Sequence, residues 1–412
     1  MVNYQNNTVV LNFSSTDNGG AGEASYKFHM NLNKIGFESF LFVARKTKKN
    51  KKIFNVKNNL IYKLQSKISQ IKNYLNITNI DYSFLDSGVN FEINSKKIRK
   101  IIKKKKIKCI IVHSVPNFLD FKNILKLKNE FNCEIYFRLY DMQNFSGGCS
   151  YSLGCDGYKK TCSECPGINN FFFKGNPNNN LLEKRKLIKF IKPKILASSY
   201  FEMQRSKESS IFNNLKHYNI PLGVDPNIFK QTNFTKKRYN DKTIFLLGTS
   251  DLDAYRKGLI FFLKALKINQ HKDKIKIITI GAKKNYFKAL NVETENFNYT
   301  RSQKLLNKVF NKSHFCIIPS IDETGPTMLN MAMMASIPCI TFNIGDALKH
   351  VKNNITGYKC DNKDIINLAK NIDLAINTSH KKLDLMKYNS RKVALKAFAD
   401  KTQISIMKKI IK

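Results

Sequence analysis

The feature that most constrains this chain is a repeating order of short apolar run, turn and helical stripe. Val9-Val10-Leu11-Asn12-Phe13 reads as a strand, and a glycine-rich turn follows at residues 18–22. Ala24, Phe28, Leu32 and Ile35 then recur at helical spacing until Gly36 stops the helix. The spacing predicts further strands over 39–43, 109–113, 134–139 and 194–197, with amphipathic stretches between them. Such alternation demands a parallel sheet covered on both faces by helices. The order then restarts, with a strand over 243–247, a helix marked by Leu259, Phe262, Leu263 and Leu266, and strands over 275–280, 315–318 and 339–342. Helices are expected over 303–310 and 327–335. Two doubly wound α/β domains follow, expected to meet at a cleft near the carboxyl ends of their strands, where such sheets bind ligands. The polar stretch 230–241 reads as a linker. The expected domains are therefore 1–229 and 242–385, with a C-terminal helical segment over 386–412.

A length of 412 residues suits two domains, and 42% hydrophobic residues exclude a disordered chain. No apolar run approaches the ~18 residues of a spanning helix, and the first fifteen residues lack the basic start of a signal peptide, so the chain reads as soluble and cytoplasmic. A net charge of +41 raises the question of nucleic acid. Only nine of the 71 basic residues are arginine, whereas base recognition favours arginine's planar fork, so no nucleic-acid partner is expected. The longest basic run, 103–106, reads as a solvated helix end before a strand. The charge fits instead an anionic membrane surface, bound peripherally on the inner face of the cytoplasmic membrane, or phosphate-bearing substrates.

Nine cysteines are an odd count and argue against a disulfide framework. Cys109, Cys133, Cys316, Cys339 and Cys360 lie in or beside apolar runs and read as core thiols. Cys149, Cys155, Cys162 and Cys165 form a separate cluster. Cys162 and Cys165 have the two-residue gap of a zinc knuckle, while Cys149 and Cys155 stand further apart. A structural zinc on the four thiolates, an iron–sulfur cluster and independent thiols remain open at this point.

Several loops could carry chemistry. Gly19-Gly20-Ala21-Gly22 sits between a strand and a helix, where backbone N–H groups can meet an anion; a tight structural turn is the equal alternative. Arg256-Lys257-Gly258 opens a helix with two cations that oppose its dipole, a placement that calls for an anion between them or for a solvated basic loop. Asp322-Glu323-Thr324-Gly325-Pro326 follows a strand; its carboxylates either accept hydrogen bonds from sugar hydroxyls or cap the next helix. The methionines of that helix read as core. His113 and Asp141 end or follow strands, where catalytic groups of this architecture sit.

Taken together, residues 17–24 with Phe28-His29, the block from Tyr140-Asp141-Met142 through Gly147-Gly148-Cys149 to Cys165-Pro166, Ile220-Pro221-Leu222-Gly223-Val224-Asp225, Arg256-Lys257-Gly258, Pro319-Ser320 through Gly325-Pro326, Ile337-Pro338 and Thr356-Gly357-Tyr358 resemble bacterial glycosyltransferases of the colanic-acid, exopolysaccharide and lipopolysaccharide type. The resemblance implies the GT-B fold, two Rossmann-like domains facing a central cleft, and transfer of a sugar from a nucleotide-sugar donor with retention to a glycan or lipid-linked acceptor. It places the Gly20 and Gly22 backbone, with Gly325, against the donor. It gives Lys257 and Arg256 the leaving diphosphate, Asp322 or Glu323 the donor-sugar hydroxyls, and Asp141 the acceptor side. No catalytic metal or other cofactor is implied. Two positions depart from the family pattern. Its second acidic residue, which grips the ribose, falls here on Asn330 or Met331, and the histidine that precedes Asp141 is Tyr140. These departures motivate the alternative of a non-catalytic sugar-nucleotide or glycan-binding protein.

Overall fold

The computed structural model describes residues 8–56, 81–84, 93–116, 118–168, 176–232, 242–249 and 251–411, with isolated positions between 64 and 71. Contacts divide the chain into two units. The first comprises Met1–Ser198, Glu202–Ile220 and Ile406–Lys412, and the second Ser199–Phe201 and Pro221–Ser405.

The first unit is built on β1 (Thr8–Thr16), β2 (Glu38–Arg45), β3 (Ile53–Asn55), β4 (Lys106–Val112), β5 (Glu134–Arg138), β6 (Lys194–Ala197) and β7 (His217–Asn219). All pair in parallel, in the order β3-β2-β1-β4-β5-β6-β7. Side chains alternate across a strand, so Val9, Leu11 and Phe13 enter one core with Phe42, Val112 and Phe137. Val10 points the other way, into a core with Phe28, Leu32, Ile111 and Tyr136. Both faces are buried, which is why β1 reads as an unbroken apolar run. Each fully buried Val, Leu or Phe side chain contributes about 1.5–3 kcal/mol. The helix Gly19–Lys34 supplies Phe28 and Leu32, and its start is capped by the Asn18 side chain accepting the Gly19 N–H.

The second unit holds β8 (Thr243–Gly248), β9 (Ile275–Ile280), β10 (Glu293–Phe297), β11 (Phe315–Ile318), β12 (Cys339–Phe342) and β13 (Gly357–Cys360). They are again parallel, in the order β10-β9-β8-β11-β12-β13. Helices Gln303–Phe310 and Thr327–Met334 fall where their periodicity places them. The basic run also behaves as expected. Helix Ser95–Ile101 ends before it, Lys103 and Lys104 turn through left-handed backbone, and both are exposed.

Several boundaries differ from the sequence reading. The first unit ends at Ile220, not near 229, because Val224 and Phe229 belong to the core of the second unit and the Val224 N–H bonds the Phe398 carbonyl at 2.7 Å. Residues 230–232, expected to open a linker, are fastened to the helix Gln303–Phe310: Asn307 accepts from the Lys230 N–H at 3.1 Å and donates to the Lys230 carbonyl at 3.0 Å. Residues 233–241 lie outside the described residues. The segment 386–412 is no separate body. Helix His380–Ala397 sends Met386 and Ala394 inward in the second unit, whereas Met407 and Ile411 complete the core of the first.

The last point is testable. Met407 is fully buried, so Met407→Ala should destabilise the first unit by about 2–5 kcal/mol. Urea unfolding followed by a probe in that unit would show it, and a shift within 0.5 kcal/mol, the range of a surface change, would contradict the assignment.

Candidate donor and acceptor sites

In the second unit, β8 and β11 are neighbours, so the loops leaving their carboxyl ends meet. Gly258, between the turn Tyr255–Lys257 and the helix Leu259–Ile268, adopts φ +70°, and a Cβ there would collide with the Pro319 carbonyl. The Ile321 N–H bonds the Arg256 carbonyl at 2.8 Å and ties the two loops together. This close approach delivers Glu323 to both cations. Its Oε1 accepts from Arg256 Nη1 at 2.6 Å and from Lys257 Nζ. The side chains of Arg256, Lys257 and Glu323 are 24%, 17% and 7% exposed, so Lys257 is not the free, exposed lysine that a cation at a loop tip suggests. The anion that the sequence called for is a carboxylate of the chain itself.

Burial disfavours charge on both partners. At Glu323 burial raises the pKa, but Lys257 and then Arg256 outweigh it and hold the carboxyl below its usual range. At Lys257 burial wins over the pull of Glu323, and the ammonium titrates below the usual lysine range. These two directions oppose one another across one contact. The double hydrogen bond to Glu323 decides for a charged pair, with Lys257 the partner held at greater cost.

Asp322, Glu323 and Thr324 are buried. None of them caps the next helix, because Pro326 occupies the cap of Thr327–Met334 and makes no side-chain bond. Gly325 packs closely, with its Cβ position 3.0 Å from Asp346 Oδ2. Asn330 is fully buried, and neither its amide oxygen nor its nitrogen has a hydrogen-bond partner. Such a group costs about 1–3 kcal/mol unless something pairs with it. Met331 is only partly buried against the core, while Met333 and Met334 are core residues as expected.

In the first unit, the glycine turn divides by role. A Cβ on Gly22 would stand 2.8 Å from the Thr16 carbonyl, so this residue is required by packing, whereas nothing lies within 4 Å of Gly20. Asp17 is buried and accepts the Thr47 and Lys48 N–H groups and the Thr47 hydroxyl, which joins the ends of β1 and β2. His113 is structural in placement. Its Nδ1 meets the Tyr140 hydroxyl and its Nε2 the Asn12 Oδ1, each at 3.0 Å, and burial followed by Arg138 holds its pKa well below 6.5. Asp141 Oδ1 accepts the Gln143 N–H at 2.9 Å, and its residue is only partly buried.

Three participants here had no signal in the sequence. Arg138 is fully buried at the end of β5 and donates to the Leu196 and Ala197 carbonyls. Glu202 Oε2 accepts from the Ser198 N–H and hydroxyl, and burial raises its pKa to about 7. Asp346 reaches Gly325 from the loop after β12. Each is a single polar residue, at a strand end, in the first turn of the helix Tyr200–Glu208 or in a loop, and only tertiary packing gives it neighbours. Among the cysteines, Cys109, Cys133, Cys316 and Cys339 are buried, while Cys360 is half-buried. Among the described residues, no three His, Cys, Asp or Glu side chains stand close enough as placed to hold a metal ion.

Residues 229–393 match the family glycosyl transferases group 1. Over nearly its whole length the chain is also similar to solved structures. One is a glycosyltransferase from Rickettsia africae, at 15% identity and a TM-score of 0.62, covering 99% of this chain and 98% of that one. Another is HepE from Anabaena in complex with UDP-glucose, at 12% and 0.60, covering 98% of each. A third is WaaG, a glycosyltransferase involved in lipopolysaccharide biosynthesis, at 12% and 0.61, covering 97% and 99%. No curated protein matches the sequence. The fold is GT-B. The segment 229–393 is a glycosyl transferases group 1 domain. That segment contains Arg256, Lys257, Asp322, Glu323, Gly325 and Asn330.

Glu202 predicts a pH effect of definite sign. Its folded pKa lies above the unfolded one, so the folded state binds the extra proton and stability falls as pH rises from about 4.5 to about 7, by on the order of 3 kcal/mol. Glu202→Gln keeps an acceptor for Ser198 and should flatten that slope. Denaturation midpoints across pH 4–8 would check it; an unchanged slope would contradict the assignment.

Proposed function

We propose that this chain is a nucleotide-sugar-dependent glycosyltransferase that transfers its sugar with retention of anomeric configuration to a glycan or lipid-linked acceptor in the building of a cell-surface polysaccharide. The observation that carries the donor chemistry is the convergence of Arg256 and Lys257 on one buried carboxylate at the carboxyl edge of β8 and β11. A diphosphate competes for both cations with more charge than Glu323 brings. When it binds, Glu323 is released from the pair and becomes an acceptor for donor-sugar hydroxyls, with Asp322 beside it in the same loop. Charge on the diphosphate grows as the sugar–phosphate bond breaks, so Lys257 and Arg256 hold the departing group more tightly in the transition state than in the ground state. The unpaired amide of Asn330 offers one donor and one acceptor, which is what a ribose diol needs. Asp141 is assigned to the acceptor, where its carboxylate can orient the attacking hydroxyl. Retention, the acceptor class and the pathway rest on the order of motifs shared with the polysaccharide enzymes.

Lys257→Ala should lower kcat/KM by about 10²-fold, the order seen when one stabilising donor is lost, and Lys257→Arg should restore part of it. Assays with a panel of nucleotide sugars would measure this, and wild-type turnover in Lys257→Ala would overturn the assignment.

The lysine excess supports a second part of the proposal, peripheral binding to an anionic membrane. Among the described residues no helix is long and apolar enough to cross a bilayer. Binding should then be electrostatic, and screened by salt. Sedimentation should show the protein on vesicles containing phosphatidylglycerol, released by 0.5 M salt, about one Debye length of 4–5 Å; equal partitioning onto phosphatidylcholine alone would contradict it.

A further inference from the structure

The four clustered cysteines come together although their spacing in sequence is uneven. Leu153 and Gly154 take successive left-handed conformations, with φ +50° and +100°, and the Cys155 N–H bonds the Ser152 carbonyl at 2.8 Å. This tight turn folds the longer gap back on itself, so Cys155 returns toward Cys149. Cys155, Cys162, Cys165 and Cys149 all line one cavity of about 20 Å³, walled by Tyr82, Phe84 and Tyr158. That volume is close to the space of a single water-sized particle. It leaves room for one ion among the four sulfurs.

The surroundings of the sulfurs are those of ligands. The Gly157 N–H donates to Cys155 Sγ at 3.4 Å. A Cβ on Gly157 would stand 3.4 Å from Cys155 Sγ and 3.6 Å from Cys162 Sγ, so these two sulfurs flank the same point and glycine leaves the room between them. The Gly147 N–H stands at the Cys162 sulfur and the Gly167 and Ile168 N–H groups at Cys165, while the Ser146 hydroxyl donates to the Cys149 carbonyl at 2.7 Å and holds that residue's backbone. Backbone N–H donors therefore reach three of the four sulfurs, those of Cys155, Cys162 and Cys165. Donors of this kind orient metal-bound thiolates and are the second layer of a metal site. All nine cysteines are free thiols, so no disulfide competes for the four.

We propose that Cys149, Cys155, Cys162 and Cys165 bind one zinc ion as a structural tetrathiolate. The sulfurs surround the cavity, and rotation about their Cα–Cβ bonds closes them on the ion while four thiol protons pass to solvent. A site of four sulfurs selects zinc or iron–sulfur, and a cavity of one-ion size fits zinc. The ion pins a region with little regular structure of its own. Cys149 bridges to Phe84, the Ser150 carbonyl accepts the Met142 N–H at 2.9 Å, and Arg205 donates to the Ser152 hydroxyl at 2.8 Å. Met142 follows Asp141 directly, so the zinc fixes the loop that carries the acceptor-side carboxylate. This inference stands on the cysteine segment alone and is independent of the sugar chemistry.

The full chain, purified without chelator and then incubated with zinc and desalted, should carry about one zinc per chain by elemental analysis. Cobalt(II) in its place should give the thiolate-to-cobalt charge-transfer bands of a tetrahedral tetrathiolate. Cys162→Ser should lose the metal and melt at lower temperature, while Cys133→Ser, a core thiol outside the cavity, should keep it. Iron in place of zinc, no stoichiometric uptake by the wild-type chain, or a cobalt spectrum without thiolate bands would each overturn the proposal. The wild-type measurements decide the matter even if Cys162→Ser fails to fold.

Discussion

Parallel strands share one direction, and every loop that leaves their carboxyl ends therefore emerges along one edge of the sheet. The candidate site of the second unit is a consequence of that constraint. Because β11 pairs with β8 on one side and β12 on the other, the loops carrying Arg256 and Lys257, Asp322 to Gly325, and Asp346 are forced together from positions far apart in the chain. Gly258 sets how close they come, since only a residue without Cβ fits beneath the Pro319 carbonyl. In the first unit the same constraint gathers His113, Arg138 and Tyr140 near the ends of β4 and β5.

On the proposed function, the ion pair made by Glu323 is a placeholder for the donor diphosphate rather than a source of stability. Removing charges from water costs several kcal/mol per ion, and a buried pair roughly repays that cost. Burial pulls Lys257 toward its neutral form even with Glu323 in contact, so the lysine is poised against its own surroundings. A group held in this way gains from exchanging one carboxylate for a diphosphate. Asn330 carries a similar imbalance: its buried amide satisfies nothing in the chain. Both costs fall on residues that the family match includes.

How much of this was legible in the sequence depended on burial. Central strands such as β1, β9 and β11 are buried on both faces and appear as apolar runs, so their positions could be read directly. The strands that escaped, β3, β7, β10 and β13, are the edges of the two sheets. Glu293–Phe297 has four polar residues among five and no buried position, and nothing in its composition separates it from a loop. Among site residues, Arg256, Lys257 and Glu323 could be named singly from loop and helix-start position. Their mutual contact could not, because it depends on β8 and β11 being neighbours. Glu202 and Arg138 gave no signal because burial alone makes a lone carboxylate or guanidinium unusual.

The central claim is that Glu323 occupies the place of the donor diphosphate. Calorimetric titration with inorganic pyrophosphate in the wild type, Glu323→Gln, Lys257→Ala and the double variant tests it most directly, as a thermodynamic cycle. If the carboxylate competes with the anion, Glu323→Gln binds pyrophosphate about tenfold more tightly, a difference of about 1.4 kcal/mol, and the gain disappears when Lys257 is also replaced. Equal affinity in the wild type and Glu323→Gln, or a gain that survives the loss of Lys257, would contradict it.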